Sequence, residues 1–157
     1  LHVVDGDNEA AYAWLRALIW PEHGERAQRL EAARNVWRSG PPQLMEGDAT
    51  QMLGQALAAI PTNHTPVIFH THVLNQFTPQ AAAALDAIIT DAAQRRLILR
   101  IGNDLGGDPG GGSGKSYLLR LRCYTQGRMT ERILARVDGH ARQIVWHAAA
   151  DQQVSCP

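Results

Sequence analysis

Apolar and polar positions alternate along this chain in two rhythms, and the change from one to the other marks its elements. Leu1 to Val4 is apolar and β-prone, and Asp5-Gly6-Asp7-Asn8 supplies the turn and cap chemistry of a strand running into a helix. From Glu9 to Trp20, Tyr12, Leu15, Leu18 and Ile19 fall on one helical face among good helix-forming alanines, and Pro21 ends the run. A second helix is predicted from Glu22 to about Arg38, with Ala27, Leu30, Ala33 and Trp37 as its stripe and Gly40-Pro-Pro42 as its stop. The short apolar piece Gln43 to Asp48 then predicts a strand and turn before a helix from Ala49 to Ile60.

Thr65 to Leu74 is the longest nearly unbroken β-branched and apolar run, and it predicts a central parallel strand buried on both faces. Thr78 and Pro79 have the chemistry of an N-cap and first helical position, so a helix follows through Ala93. Arg96 to Gly102 is the next predicted strand. Strands alternating with helices imply βαβ units with right-handed crossovers. Beyond Asn103 the organisation changes. Asp104 to Gly114 holds six glycines and a proline and predicts a loop. Tyr117 to Thr125 and Met129 to Asp138 alternate around Gln126-Gly127, which predicts an antiparallel hairpin. Arg142 to His147 is a last strand and residues 148–157 a tail. The expected fold is therefore α/β: a Rossmann-like three-layer domain with a mostly parallel sheet and a C-terminal antiparallel hairpin, one domain over residues 1–147.

Composition narrows the partners. At 157 residues and 45% hydrophobic, the chain has enough apolar material for a true core. Its 15 basic and 15 acidic residues cancel, which removes the broad positive footprint of a nucleic-acid binder. No segment approaches the length of a membrane span, and Cys123 and Cys156 make neither a disulfide framework nor a zinc spacing. A cytoplasmic protein is the expectation. The opening Leu1 already reads as the end of a strand, so the chain is expected to be the C-terminal part of a longer protein.

Candidate chemistry gathers at strand ends, where open α/β sheets bind ligands. His70 and His72, two apart on the predicted central strand, would share a face. They are the candidate catalytic pair, with acid–base or crevice-lining use weighed against plain structural hydrogen bonding. A metal would need a third ligand, for which Asp48, Asp104 or His140 are available, but the spacing fixes none and no metal is assigned. Asp5 and Asp48 each precede a predicted helix; they read equally as N-caps or as carboxylates accepting from a cofactor's ribose. Residues 109–116, Pro-Gly-Gly-Gly-Ser-Gly-Lys-Ser, invite comparison with a phosphate-binding loop. The comparison fails because Pro109 replaces the first glycine and a strand follows where a helix is needed. Seven Lys and Arg against two acidic residues between 115 and 142 read as a solvated strand face. Trp14, Trp20, Trp37 and Trp146 read as core or interface.

Trp14 to Glu22 with Arg26 and Leu30, then Pro41-Pro42, Gly47-Asp48, Val67 to Thr71, and Asp138-Gly-His140 with Trp146 together resemble an uncharacterised bacterial family, domain of unknown function 2332, over roughly residues 3 to 147. The chain departs from that pattern at Ala141, where the family usually has glycine after the histidine. Family members extend further at the N-terminus, with a glycine-containing strand-to-helix turn. The resemblance brings no activity of its own. By fold-level analogy the element order is similar to the latter part of an S-adenosylmethionine-dependent methyltransferase. That analogy makes Asp5 and Asp48 cofactor-binding, places His70 and His72 beside a small-molecule substrate, and implies S-adenosylmethionine as the cofactor of the full-length protein. The alternative is a non-catalytic binding or oligomerisation domain whose exposed edge pairs with another copy. On either account this chain alone is expected to bind the adenosyl ligand weakly at most and to associate with itself.

Overall fold

The computed structural model describes residues 5–106, 116–138 and 142–147. The chain forms two compact units, Leu1–Asp48 and Ala49–Pro157.

The first unit is a pair of helices, α1 (Glu9–Ala17) and α2 (Gly24–Ser39), held together by polar chemistry. The Asn8 side chain caps α1 by accepting from the Ala11 amide at 3.0 Å. Arg34 is the one residue of the two helices that is buried. Its Nε donates to the Gly6 carbonyl at 3.0 Å, its terminal nitrogen pairs with Glu9, and its guanidinium lies 4.0 Å over the Tyr12 ring. Arg38 adds bonds to Asp7 at 3.1 Å and Glu9 at 3.0 Å. The tryptophans read as core or interface do not all lie in a core. Trp14 and Trp20 are exposed, with Leu18 and Val36.

The second unit contains α3 (Ala49–Ala59), β1 (Val67–Thr71), a 3-10 turn at Leu74–Gln76, α4 (Pro79–Ala92), β2 (Ile98–Gly106), β3 (Ser116–Thr125), β4 (Arg128–Val137) and β5 (Ile144–Trp146). Thr78 caps α4 by accepting from the Ala81 amide, with Pro79 at the first position, as the sequence requires. Gln126 and Gly127 both have positive φ, 47° and 72°, which makes the tight hairpin turn whose twist matches that of β3 and β4. The Gln126 amide also donates to the Ala93 carbonyl, tying the hairpin tip to the end of α4.

The sheet corrects the expected fold. Its order is β1-β2-β3-β4-β5, and only β1 and β2 run parallel; β2 to β5 are an antiparallel meander. It is a mixed, mostly antiparallel sheet and not a Rossmann-like one. The expectation needed several βαβ units, and the described residues hold one. Gln43 to Glu46 has no regular structure, with Leu44 and Met45 exposed after the rigid Pro41-Pro42, and the strand proposed for Leu1 to Val4 lies outside the described residues. β2 also continues through Asn103 to Gly106 where a loop was expected, because Asp104, Leu105 and Gly106 find partners on β3. The glycine-rich residues after it, the phosphate-loop look-alike for the most part, His140 and the tail are outside the described residues.

A second correction concerns Thr65 to Leu74. β1 is an edge strand of the described sheet and is covered on one face only: Val67 and Phe69 are 54% and 69% exposed. Its other face carries Ile68 toward the core, which Leu57, Ile89, Ala93, Ile98 and Tyr124 build between the two helices and the sheet. Arg96 fastens that core's margin by donating to the carbonyls of Leu57, Ile60 and Pro61 at the end of α3. Among the described residues no helix is long and apolar enough to cross a membrane.

Candidate functional site

Strand alternation decides which side chains meet. The register pairs His70 with Gly102 and Gly102 with Arg120, and Arg100 with Arg122, so His70, Arg100, Gly102, Asp104, Arg120 and Arg122 all point to the face that α3 and α4 cover further along at Ile98 and Tyr124. Past the end of the helices that face turns polar. The resulting concavity measures about 150 Å³ including the solvent at its mouth, is lined by those six residues, and encloses no space for even a water-sized guest.

His70 sits in a clasp. Arg100, 4% exposed, donates from Nε to His70 Nε2 at 2.9 Å. A guanidinium can only donate, so Nε2 must be the lone-pair nitrogen and Nδ1 carries the proton. That proton faces Asp104 Oδ1 at 3.5 Å, long for a hydrogen bond, and neither atom has a closer partner. Arg100 also donates to Asp86 at 2.5 Å and to the Tyr124 hydroxyl at 3.3 Å, while that hydroxyl donates to Asp86 at 2.9 Å. Arg122 and Arg120 share Glu131 at 2.6 and 3.4 Å. Three guanidinium groups thus face three carboxylates, and the cluster carries no net charge.

Electrostatics follow from this packing. Burial alone would raise the Asp104 carboxyl, but its contact with His70 and the charges of Arg100 and Arg122 outweigh that and hold it below the ordinary carboxylate range. Burial, helped by Asp86 and opposed by Arg100, raises the Tyr124 hydroxyl. Burial disfavours the Arg122 charge, but Glu131 more than restores it.

Gly102 makes the clasp geometrically feasible. A Cβ at that position would lie 2.3 Å from His70 Cε1 and 2.5 Å from Nε2. The imidazole lies against bare backbone.

Of the residues proposed from sequence, the two histidines do not share a face. His70 and His72 do not act as a pair, because β1 ends at Thr71 and His72 takes a left-handed conformation with φ 54°. Its amide donates to the Asn103 carbonyl, and its ring meets Tyr117 edge-on at 4.4 Å, on the side of the sheet opposite His70. Asp5 and Asp48 belong to the first unit. Asp5 accepts from the Asp7 amide in a turn, and Asn8, not Asp5, caps α1. Asp48 immediately precedes α3 but ends no strand. Among the described residues no three His, Cys, Asp or Glu side chains converge on a metal position. Cys123 is buried and is not a free thiol.

Sequence reasoning missed Arg100, Asp86 and Tyr124. One signal was present: Arg100 is a lone charge inside the apolar run Leu97 to Ile101, and a charge there must find a partner. Of the basic residues read as a solvated strand face, Arg120 and Arg122 are instead engaged with Glu131, while Arg128, Arg136 and Arg142 are exposed.

The fold and its clasp define a small mixed-sheet α/β domain with a buried polar network. The chain matches the DUF2332 family, described as an uncharacterized protein conserved in bacteria, over residues 1–146, and it belongs to that family. No curated protein and no solved structure matches it.

Proposed function

We propose that this chain is a non-catalytic binding or assembly module in which the His70 clasp is structural. The observation that carries this reading is the Arg100–His70 bond: the nitrogen a general base would need already accepts from a guanidinium, in a charge-balanced cluster with no enclosed space. A methyltransferase-like role was argued from parallel strands ending at cofactor-lining aspartates. With one parallel pair among the described residues, and Asp48 following irregular chain, that role has no support in the described geometry. The test is calorimetry and thermal shift of the chain with S-adenosylmethionine and S-adenosylhomocysteine. Neither ligand should give saturable heat or move the Tm. Saturable binding that disappears in a folded His70→Ala variant would make the clasp a ligand site and overturn the proposal.

A further inference from the structure

We propose that residues 148–157 form a strap across the second face of the sheet, held by a disulfide between Cys123 and Cys156 and released by a dithiol. Cys123 is disulfide-bonded, and the chain's other cysteine is Cys156. Both sulfurs belong to a single chain. The position of Cys123 then decides where the strap runs.

Along β3, Arg120, Arg122 and Tyr124 point to the side that α3 and α4 cover, so Leu119, Leu121 and Cys123 point to the other. The register brings Leu99 and Ile101 of β2 and Ala135 of β4 to that same side, which is therefore apolar. An apolar sheet face needs a layer over it. Leu121 and Cys123 are buried there, at 8% and 5% exposure, although the helices of this unit pack against the opposite face.

The exit of the chain from β5 suits this path. β3 and β5 both run antiparallel to β4 and so parallel to each other, and Ala135 pairs with Leu119 on one side and Trp146 on the other. The chain thus leaves β5 level with Leu119 and heading toward the level of Cys123. Getting there takes two strand spacings, about 10 Å, across the sheet and four residues, about 13 Å, along it. Cys156 is nine positions beyond His147, a length of chain that spans up to roughly 30 Å. Ala148, Ala149, Ala150 and Val154 supply small apolar side chains for the cover, and Asp151 is the segment's one charged side chain.

Release is thiol–disulfide exchange. One thiolate of the dithiol attacks a sulfur of the bond and displaces the other cysteine, and its second thiolate then displaces the first. Two electrons and two protons pass to Cys123 and Cys156, and the reductant closes to its own disulfide. The segment then has no covalent hold on the sheet and leaves its face.

Peptide mapping and amide hydrogen exchange of the intact chain, equilibrated with glutathione disulfide and then treated with dithiothreitol, test this. Before reduction, a tryptic digest should contain Cys123–Arg128 joined to Gln143–Pro157, and no thiol should titrate in urea. The amides of residues 148–155 should exchange slowly. After reduction both thiols should titrate, those amides should lose their protection, and a dye that fluoresces on apolar surface should bind. Cys156→Ser, which leaves every sheet residue unaltered, should match the reduced wild type while keeping the far-ultraviolet circular dichroism of the oxidised one. Free or glutathione-capped thiols in the oxidised chain, a disulfide between two copies, or free exchange at 148–155 while the bond is intact would each overturn the proposal. So would protection that survives both dithiothreitol and Cys156→Ser. None of these outcomes bears on the adenosyl-ligand test, so the two readings can fail separately.

Discussion

Arg100→Leu should lower the unfolding free energy by about 3 kcal/mol, the range found when one partner of a buried charged network is removed. The leucine fills part of the volume but leaves His70 Nε2 without its donor and removes the ion pair from Asp86, which is 48% exposed and recovers some loss by hydration. Tyr124, 1% exposed, keeps Asp86 as its acceptor. The pH profile should change as well. Asp104 has its folded pKa depressed, so its contribution to stability is present above the unfolded carboxylate value and is lost as pH falls through the lower folded value. Removing Arg100 takes away one cause of the depression, and the acid loss should begin at higher pH. Urea unfolding across the acid range measures both. A loss below about 1 kcal/mol would mean that the network is effectively solvated and structurally idle.

Gly102→Val should cost about 3 kcal/mol, at the upper end of the penalties for overpacking a fixed site. Even its Cβ would overlap the His70 ring, and a β-branched side chain leaves that ring no compensating rotamer shift against Arg100. The informative comparison is the double variant Gly102→Val with His70→Ala. Removing the ring makes room for the valine, so the double variant should be more stable than Gly102→Val alone, despite losing the clasp. Simple additivity in chemical denaturation would show that the valine strains the strand for some other reason.

The sequence made the local elements legible. Thr78 and Pro79, the Gln126-Gly127 turn and the alternation of β3 and β4 fix their structures through neighbouring residues, and each forms where those residues say. What misled was a pattern with two meanings. An uninterrupted apolar run such as Thr65 to Leu74 suits a strand covered on both faces, but it equally suits an edge strand, and periodicity cannot separate the two. Gln43 to Glu46 was short enough for strand and coil to compete, and the rigid prolines before it decided for coil. The site was harder to read because it is assembled across three strands and a helix. His70 was visible, but its partners Arg100, Asp104, Asp86 and Tyr124 become its neighbours only once the register is known, and the left-handed turn at His72 removes the second histidine from its face.

The uncharged stretch from Ala49 to Leu85 and the neutral clasp beside it also bear on the kinetics of encounter. Charged surfaces draw partners together through long-range attraction that salt screens over about 10 Å, and they can raise association rates by orders of magnitude. Among the described residues of the second unit, the arginines beside β1 face carboxylates, so that stretch generates little such field. A partner meeting this strand would find it by unguided diffusion, at roughly the 10⁵–10⁶ M⁻¹s⁻¹ of neutral pairs. Such an encounter would be indifferent to ionic strength, and the partner's concentration, not the salt of the surroundings, would set its frequency.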